Sequence, residues 1–106
     1  MSKIALVTGA TAGIGEAVAV LLAKEGYDLI ITGRRESRLQ ELAKRIVAES
    51  GVKVLPLSFD VRSLESVEKY LGNLPQEWRS IDVLVNNAGL AVGLNPINDG
   101  VIDDWE

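Results

Sequence analysis

The sequence has no cysteine and no histidine among its 106 residues. Without cysteine it can form neither a disulfide nor a thiolate metal site, and a reducing compartment, the cytoplasm, is its natural setting. Without histidine it lacks the commonest general base and the commonest metal ligand, and no metal site is expected. Long apolar runs are missing too. The longest unbroken one is Ala17 to Ala23, far short of the ~20 residues that span a bilayer. Met1-Ser2-Lys3 leads straight into a strand-like run, which leaves no room for a signal peptide. We therefore expect a soluble chain with no membrane partner. There is no excess of basic charge either: 11 basic side chains stand against 15 acidic ones, for a net −4. That balance argues against a nucleic-acid partner but leaves room for a local basic site.

What is present suits a folded domain: hydrophobic residues make up 47% and charged residues 25%, enough to bury a core. Strand-like and helix-like patterns alternate. Ile4 to Val7 is a short apolar run of the kind buried on both faces of a sheet. Ile14, Ala17, Val18, Leu21 and Leu22 then follow at helical spacing, which predicts one apolar helix face closed by Gly26. Leu29 to Thr32 predicts a second strand. Glu36 to Ser50 predicts a second helix, with Leu39, Leu42, Ala43, Ile46 and Val47 on one face and Gly51 ending it.

A third strand carries Val52, Val54 and Phe59 around Pro56, and a proline inside a strand favours a sheet edge. Ser63 is placed to cap a third helix bearing Leu64, Val67 and Leu71. Ile81 to Val85 predicts a fourth strand, followed by a loop rich in asparagine and glycine. Strands alternating with helices imply an α/β fold with a parallel sheet. The doubly wound order 3-2-1-4, of Rossmann type, puts the Pro56 strand at an edge as required.

Thr8-Gly9-Ala10-Thr11-Ala12-Gly13-Ile14-Gly15 lies where the first strand hands over to the first helix. A dinucleotide pyrophosphate needs a tight turn there, a backbone free of Cβ atoms and the positive end of a helix. Gly9 can supply the turn, Gly13 the close approach and Gly15 the helix-to-sheet packing, while Ile14 offers a backbone N–H. The spacing departs from the general G-x-G-x-x-G fingerprint. Three glycines alone could also be an ordinary glycine-rich turn.

Together with Asn86-Asn87-Ala88-Gly89 after the fourth strand, these residues resemble the paired signatures of short-chain dehydrogenases/reductases. The resemblance extends through Gly33-Arg34-Arg35, Asp60-Val61-Arg62, Pro96 and Asp104-Trp105-Glu106, and is strongest to the branch that oxidises serine and related 3-hydroxy acids with NADP. It implies an oxidoreductase interconverting a hydroxyl and a carbonyl on a small polar substrate. A 3-oxoacyl or ketone reductase, and a non-catalytic dinucleotide-sensing protein on the same fold, remain the alternatives. The resemblance also implies a homotetramer.

The cofactor's identity can be read at the end of the second strand. NAD-specific folds place a carboxylate there to bind the ribose hydroxyls, but this chain has Gly33 followed by Arg34 and Arg35. A planar guanidinium suits the 2′-phosphate of NADP, with Arg34 expected as the main discriminator. Both arginines could instead be solvated residues opening a helix. The resemblance implies that Asp60 accepts from the adenine amine, that the Val61 backbone meets an adenine ring nitrogen, and that Asn87 steadies the sheet while Ala88 and Gly89 lie along the ribose. Asp60 alone could equally be a turn or cap residue. Leu90 to Asn98 is expected to wall the substrate pocket.

The family's catalytic pattern is a tyrosine with a lysine four residues later, aided by a serine. Tyr27 is followed at that distance by Ile31 and Tyr70 by Leu74, so no catalytic residue is assigned in this chain. Residues 1–106 are expected to be the N-terminal, dinucleotide-binding part of a single Rossmann domain. Trp78 and Trp105 are expected to be packing residues.

Overall fold

The computed structural model describes residues 3–10 and 13–87. In chain order these form β1 (Ile4–Thr8), α1 (Gly13–Lys24), β2 (Asp28–Gly33), α2 (Glu36–Ser50), β3 (Val54–Ser58), α3 (Leu64–Leu71), a single 3-10 turn at Gln76–Trp78, and β4 (Val83–Asn86). The four strands pair in parallel in the order β3-β2-β1-β4, as the alternating pattern predicts. Pro56, opposite Ile31, lies on the edge strand β3, where its missing N–H costs no ladder bond.

Side chains alternate across the sheet with a period of two, and the two faces build two cores. Leu6 pairs in register with Ile30 and Leu84. These three pack with Phe59, Val61, Val67, Leu71 and Trp78 on the α3 face. Ala5, Val7, Leu29 and Ile31 point the other way, against Ala19 and Ala23 of α1 and Leu39, Leu42 and Ile46 of α2. Trp78 is thus a packing residue, as expected. Ser63 caps α3 by accepting from the Ser66 amide at 3.3 Å. Gly51 closes α2 in the left-handed region at φ 72°, its N–H donating to the Val47 carbonyl, a conformation that favours glycine.

The sequence expectation is corrected at two helix faces. In α1 the buried residues are Gly15, Ala19 and Ala23, whereas Ile14 is 73% and Leu21 59% exposed. The helix is rotated away from its largest apolar side chains and rests on its smallest ones, four residues apart. Small residues let a helix axis come closer to the sheet, and the loop before α1 demands that closeness, as described below. In α2, Val47 is exposed rather than part of the buried face, which is confined to Leu39, Leu42, Ala43 and Ile46.

The rotation of α1 has a measurable consequence. Ala19→Leu should overpack the helix–sheet interface and cost ~1–3 kcal/mol, while Leu21→Ala should change stability by no more than about 0.5 kcal/mol. Urea midpoints of the two variants check this; a larger loss from Leu21→Ala would mean that the apolar stripe is the buried face after all.

Candidate functional site

The C-terminal ends of the four strands converge on one edge of the sheet, and the turn after β1 organises it. Gly9 adopts φ 64°, a left-handed conformation that favours glycine. Its carbonyl oxygen lies so close to the first turn of α1 that a Cβ on Gly15 would overlap it and also sit 2.9 Å from Asn87 Nδ2. Asn87 Nδ2 donates to the same carbonyl at 3.3 Å. The end of β1, the start of α1 and the end of β4 are therefore fastened at a single backbone oxygen. Beside it, the buried Thr8 hydroxyl donates to Asn86 Oδ1 at 3.0 Å. The Ala10 amide donates to the Thr32 carbonyl at 2.9 Å, and the Phe59 amide to the Gly33 carbonyl at 3.1 Å, tying the strand ends together across the sheet.

These ties border a groove of ≈ 650 Å³, a size typical of small-molecule sites. Gly9 and Asn87 line it from the β1 and β4 side, Thr32 to Arg35 together with Arg38 from the end of β2, and Phe59 to Arg62 from the end of β3. On a chain of net charge −4, the lining brings together four arginines and a single carboxylate. That carboxylate is already engaged. Asp60 Oδ1 accepts from the Arg62 amide at 2.9 Å and from Arg62 Nε at 3.1 Å, and Oδ2 accepts from the guanidinium at 3.1 Å. The side-chain hydrogen bonds from Arg62, followed by its backbone N–H, hold the Asp60 carboxyl below the usual carboxylate range. Thr32 Oγ1 is buried and has no hydrogen-bond partner among the described residues.

Of the residues singled out by sequence, Gly9, Arg34, Arg35, Asp60, Val61 and Asn87 meet in this groove. Ala10 does not: it is fully buried and its amide is committed to Thr32, so it secures the loop. Gly15 is buried beneath the turn, and Gly13 and Ile14 stand exposed at the start of α1. Thr11, Ala12, Ala88, Gly89 and the expected substrate wall from Leu90 to Asn98 lie outside the described residues. Sequence reasoning gave no role to Arg38 or Thr32. Arg38 lies in the first turn of α2, just after the arginine pair, and that nearness in sequence was the available signal. Among the described residues no group of three or more His, Cys, Asp or Glu side chains could hold a metal ion.

The Asp60–Arg62 clasp is testable by titration. Because the folded carboxyl titrates below its ordinary value, any stabilisation it provides is complete above that value and is lost as pH falls through the lowered one. Arg62→Ala should move the Asp60 midpoint upward toward the ordinary carboxylate range, observed by carboxyl NMR. An unmoved midpoint would mean that Arg62 does not hold this carboxylate.

Residues 3–106 match the family model described as short chain dehydrogenase. The chain is 50% identical over 103 residues to NADP-dependent 3-hydroxy acid dehydrogenase YdfG of Salmonella typhi, covering 97% of this chain and 40% of that protein. It is 45% identical over 106 residues to serine 3-dehydrogenase of Agrobacterium fabrum, covering 100% of this chain and 41% of that protein. The fold superposes with a TM-score of 0.77 and 38% identity on L-sorbose reductase of Gluconobacter frateurii, a structure complexed with NADPH and L-sorbose, covering 83% of this chain and 34% of that one. The chain thus spans about 40% of the length of the curated relatives it matches. The parallel 3-2-1-4 sheet, the glycine turn after β1 and the asparagine at the end of β4 agree with this match, and the chain belongs to the short-chain dehydrogenase family.

Proposed function

We propose that this protein is an NADP-dependent oxidoreductase that interconverts a hydroxyl and a carbonyl on a small polar substrate, a 3-hydroxy acid such as serine. The observation that carries the reading is the end of β2. Gly33 leaves that position without a carboxylate, and Arg34 and Arg35 border the groove directly after it. A carboxylate there would repel a 2′-phosphate, whereas a guanidinium offers it planar, charge-assisted donors. The names of the relatives support the same cofactor and substrate class.

The residues present fit such a cofactor. A Cβ built on Gly13 meets nothing within 4 Å, so there is open space beside the first turn of α1, whose leading N–H groups have no partner within the helix and suit a pyrophosphate. In this reading the turn from Gly9 through Thr11, Ala12, Gly13 and Ile14 to Gly15 receives the diphosphate. Arg34 and Arg35 meet the 2′-phosphate, Asp60 and Val61 border the adenine, and Asn87, Ala88 and Gly89 run along the ribose. The bound nicotinamide supplies or accepts the hydride.

We assign the acid/base step to residues outside this chain. Tyr70 stacks on Phe59, with ring centroids 4.7 Å apart and planes 6° from parallel, and packs against the α3-side core. Tyr27 precedes β2, at the end of the strand away from the groove. In the same reading the 106 residues are the N-terminal, dinucleotide-binding part of one Rossmann domain. The protein is cytoplasmic and works as a homotetramer. No helix among the described residues is long and apolar enough to cross a membrane; family resemblance supports the homotetramer.

Two variants of the full-length protein test the reading through NADPH and NADH dissociation constants. Arg34→Asp should cost NADPH about tenfold or more in affinity while sparing NADH; an unchanged ratio would reject the cofactor assignment. Gly13→Ala adds a methyl that meets no atom within 4 Å among the described residues, so folding stability should stay level or rise by up to ~1 kcal/mol. Both cofactors should nevertheless bind more weakly, because that methyl occupies the space the diphosphate needs. Undiminished binding by Gly13→Ala would place the diphosphate elsewhere.

A further inference from the structure

Four of the chain's six arginines line one groove, and they are not equivalent. Arg62 is tied to Asp60 through both carboxylate oxygens, so that pair presents little net charge. Arg34, Arg35 and Arg38 make no ion pair with a described acidic residue; the only pairs among described residues are Arg45–Glu16 and Arg62–Asp60. Three exposed cations therefore share one hollow with no ion-pair partner among the described residues. Arg35 is the N-cap residue of α2 and its side chain makes no capping bond, so the first amides of that helix also lack a side-chain acceptor there.

Arg38 differs from its two neighbours in how it is held. Arg34 and Arg35 belong to the link between β2 and α2, whereas Arg38 lies in the first turn of the helix, next to Leu39, which is fully buried. Its backbone is fixed by that packing. Arg38 also borders a second hollow with Glu16, Glu41 and Arg45, and it shares the first with Asp60, which is held by Arg62. Glu16 is taken by Arg45 at 2.9 Å, and Glu41 makes no ion pair with Arg38 among the described residues. The guanidinium is thus left available to a ligand in the groove.

We infer that Arg38 is a specificity-determining residue. It forms, with Arg34, a two-sided clamp on a phosphate monoester dianion at the end of β2, Arg38 being the rigid jaw and Arg34 the adaptable one. This inference rests on the NADP reading above and adds Arg38 to the cations assigned there to the 2′-phosphate. A phosphate dianion can accept from two guanidinium forks at once, and two cations discriminate it from a ribose hydroxyl more sharply than one.

The test uses the full-length protein and its Arg38→Gln, Arg38→Lys and Arg34→Gln variants. The affinities of NADPH, NADH and 2′,5′-ADP are measured by fluorescence titration and competition, with circular dichroism melting as a check on folding. Arg38→Gln should weaken NADPH and 2′,5′-ADP by about tenfold or more and leave NADH within about twofold. Arg38→Lys should recover part of the loss, since the charge returns without the fork. Added salt should weaken NADPH binding to the native protein more than to Arg38→Gln, because a screened charge has been removed. If Arg38→Gln weakens NADPH and NADH alike, or neither, the clamp is wrong. If Arg34→Gln abolishes the NADPH preference while Arg38→Gln leaves it intact, the clamp fails and the NADP reading stands. A native protein with no preference for NADPH over NADH would overturn both.

Discussion

The site depends on the contact between the Gly9 carbonyl and the first turn of α1. That contact exists only because position 15 has no side chain, since any Cβ there would overlap the carbonyl oxygen. The same oxygen accepts from Asn87, so the strand order and the helix position are registered against each other at one atom. The consequence runs down the helix. To keep Gly15 against the turn, α1 presents Ala19 and Ala23 to the sheet and leaves Ile14 and Leu21 outside. Burying a leucine stabilises a fold by roughly 1.5–3 kcal/mol, and α1 forgoes that gain at Leu21 in favour of proximity to the strand end.

Proximity matters because of what the strand ends do electrostatically. The chain as a whole is acidic, yet charges more than a Debye length apart, about 8 Å at physiological salt, are largely screened. The local balance in the groove therefore decides what binds, and that balance is cationic. The sheet concentrates it by bringing the ends of β2 and β3, 25 residues apart from Gly33 to Ser58, side by side. The Asp60–Arg62 clasp then removes the single carboxylate from the account. The result is an anion-seeking hollow on a protein whose overall charge would repel anions.

Much of this architecture is legible in the chain. Apolar runs of four or five residues between helical stretches dictate a parallel sheet buried on both faces, and Pro56 selects the edge. Gly51 and Ser63 mark helix ends for local reasons: a left-handed φ in one case and a side-chain acceptor in the other. The glycine turn and the absence of a carboxylate at Gly33 point to a phosphorylated dinucleotide because the relevant groups are adjacent in sequence. Such features depend on backbone sterics and nearest neighbours, which composition and spacing report directly.

The rest was decided by tertiary contacts. Periodicity ranks residues by size and so assigned the α1 face to Ile14 and Leu21, but the orientation was set by how close a helix must approach a carbonyl. Val47 satisfied the helical spacing of α2, yet the face that the fold buries is confined to Leu39, Leu42, Ala43 and Ile46 and leaves Val47 exposed. Ala10 lies within the phosphate-loop motif, yet its amide is consumed by Thr32, a residue 22 positions away. Whether Asp60 is a free acceptor and whether Arg38 faces the groove depend on which side chains the fold sets beside them. By itself the sequence determined the elements, their order and the sign of the ligand's charge, since those follow from local propensity and residue type. Only the tertiary structure decided which atoms are free to meet that ligand, because availability is a property of neighbours brought together across the sheet.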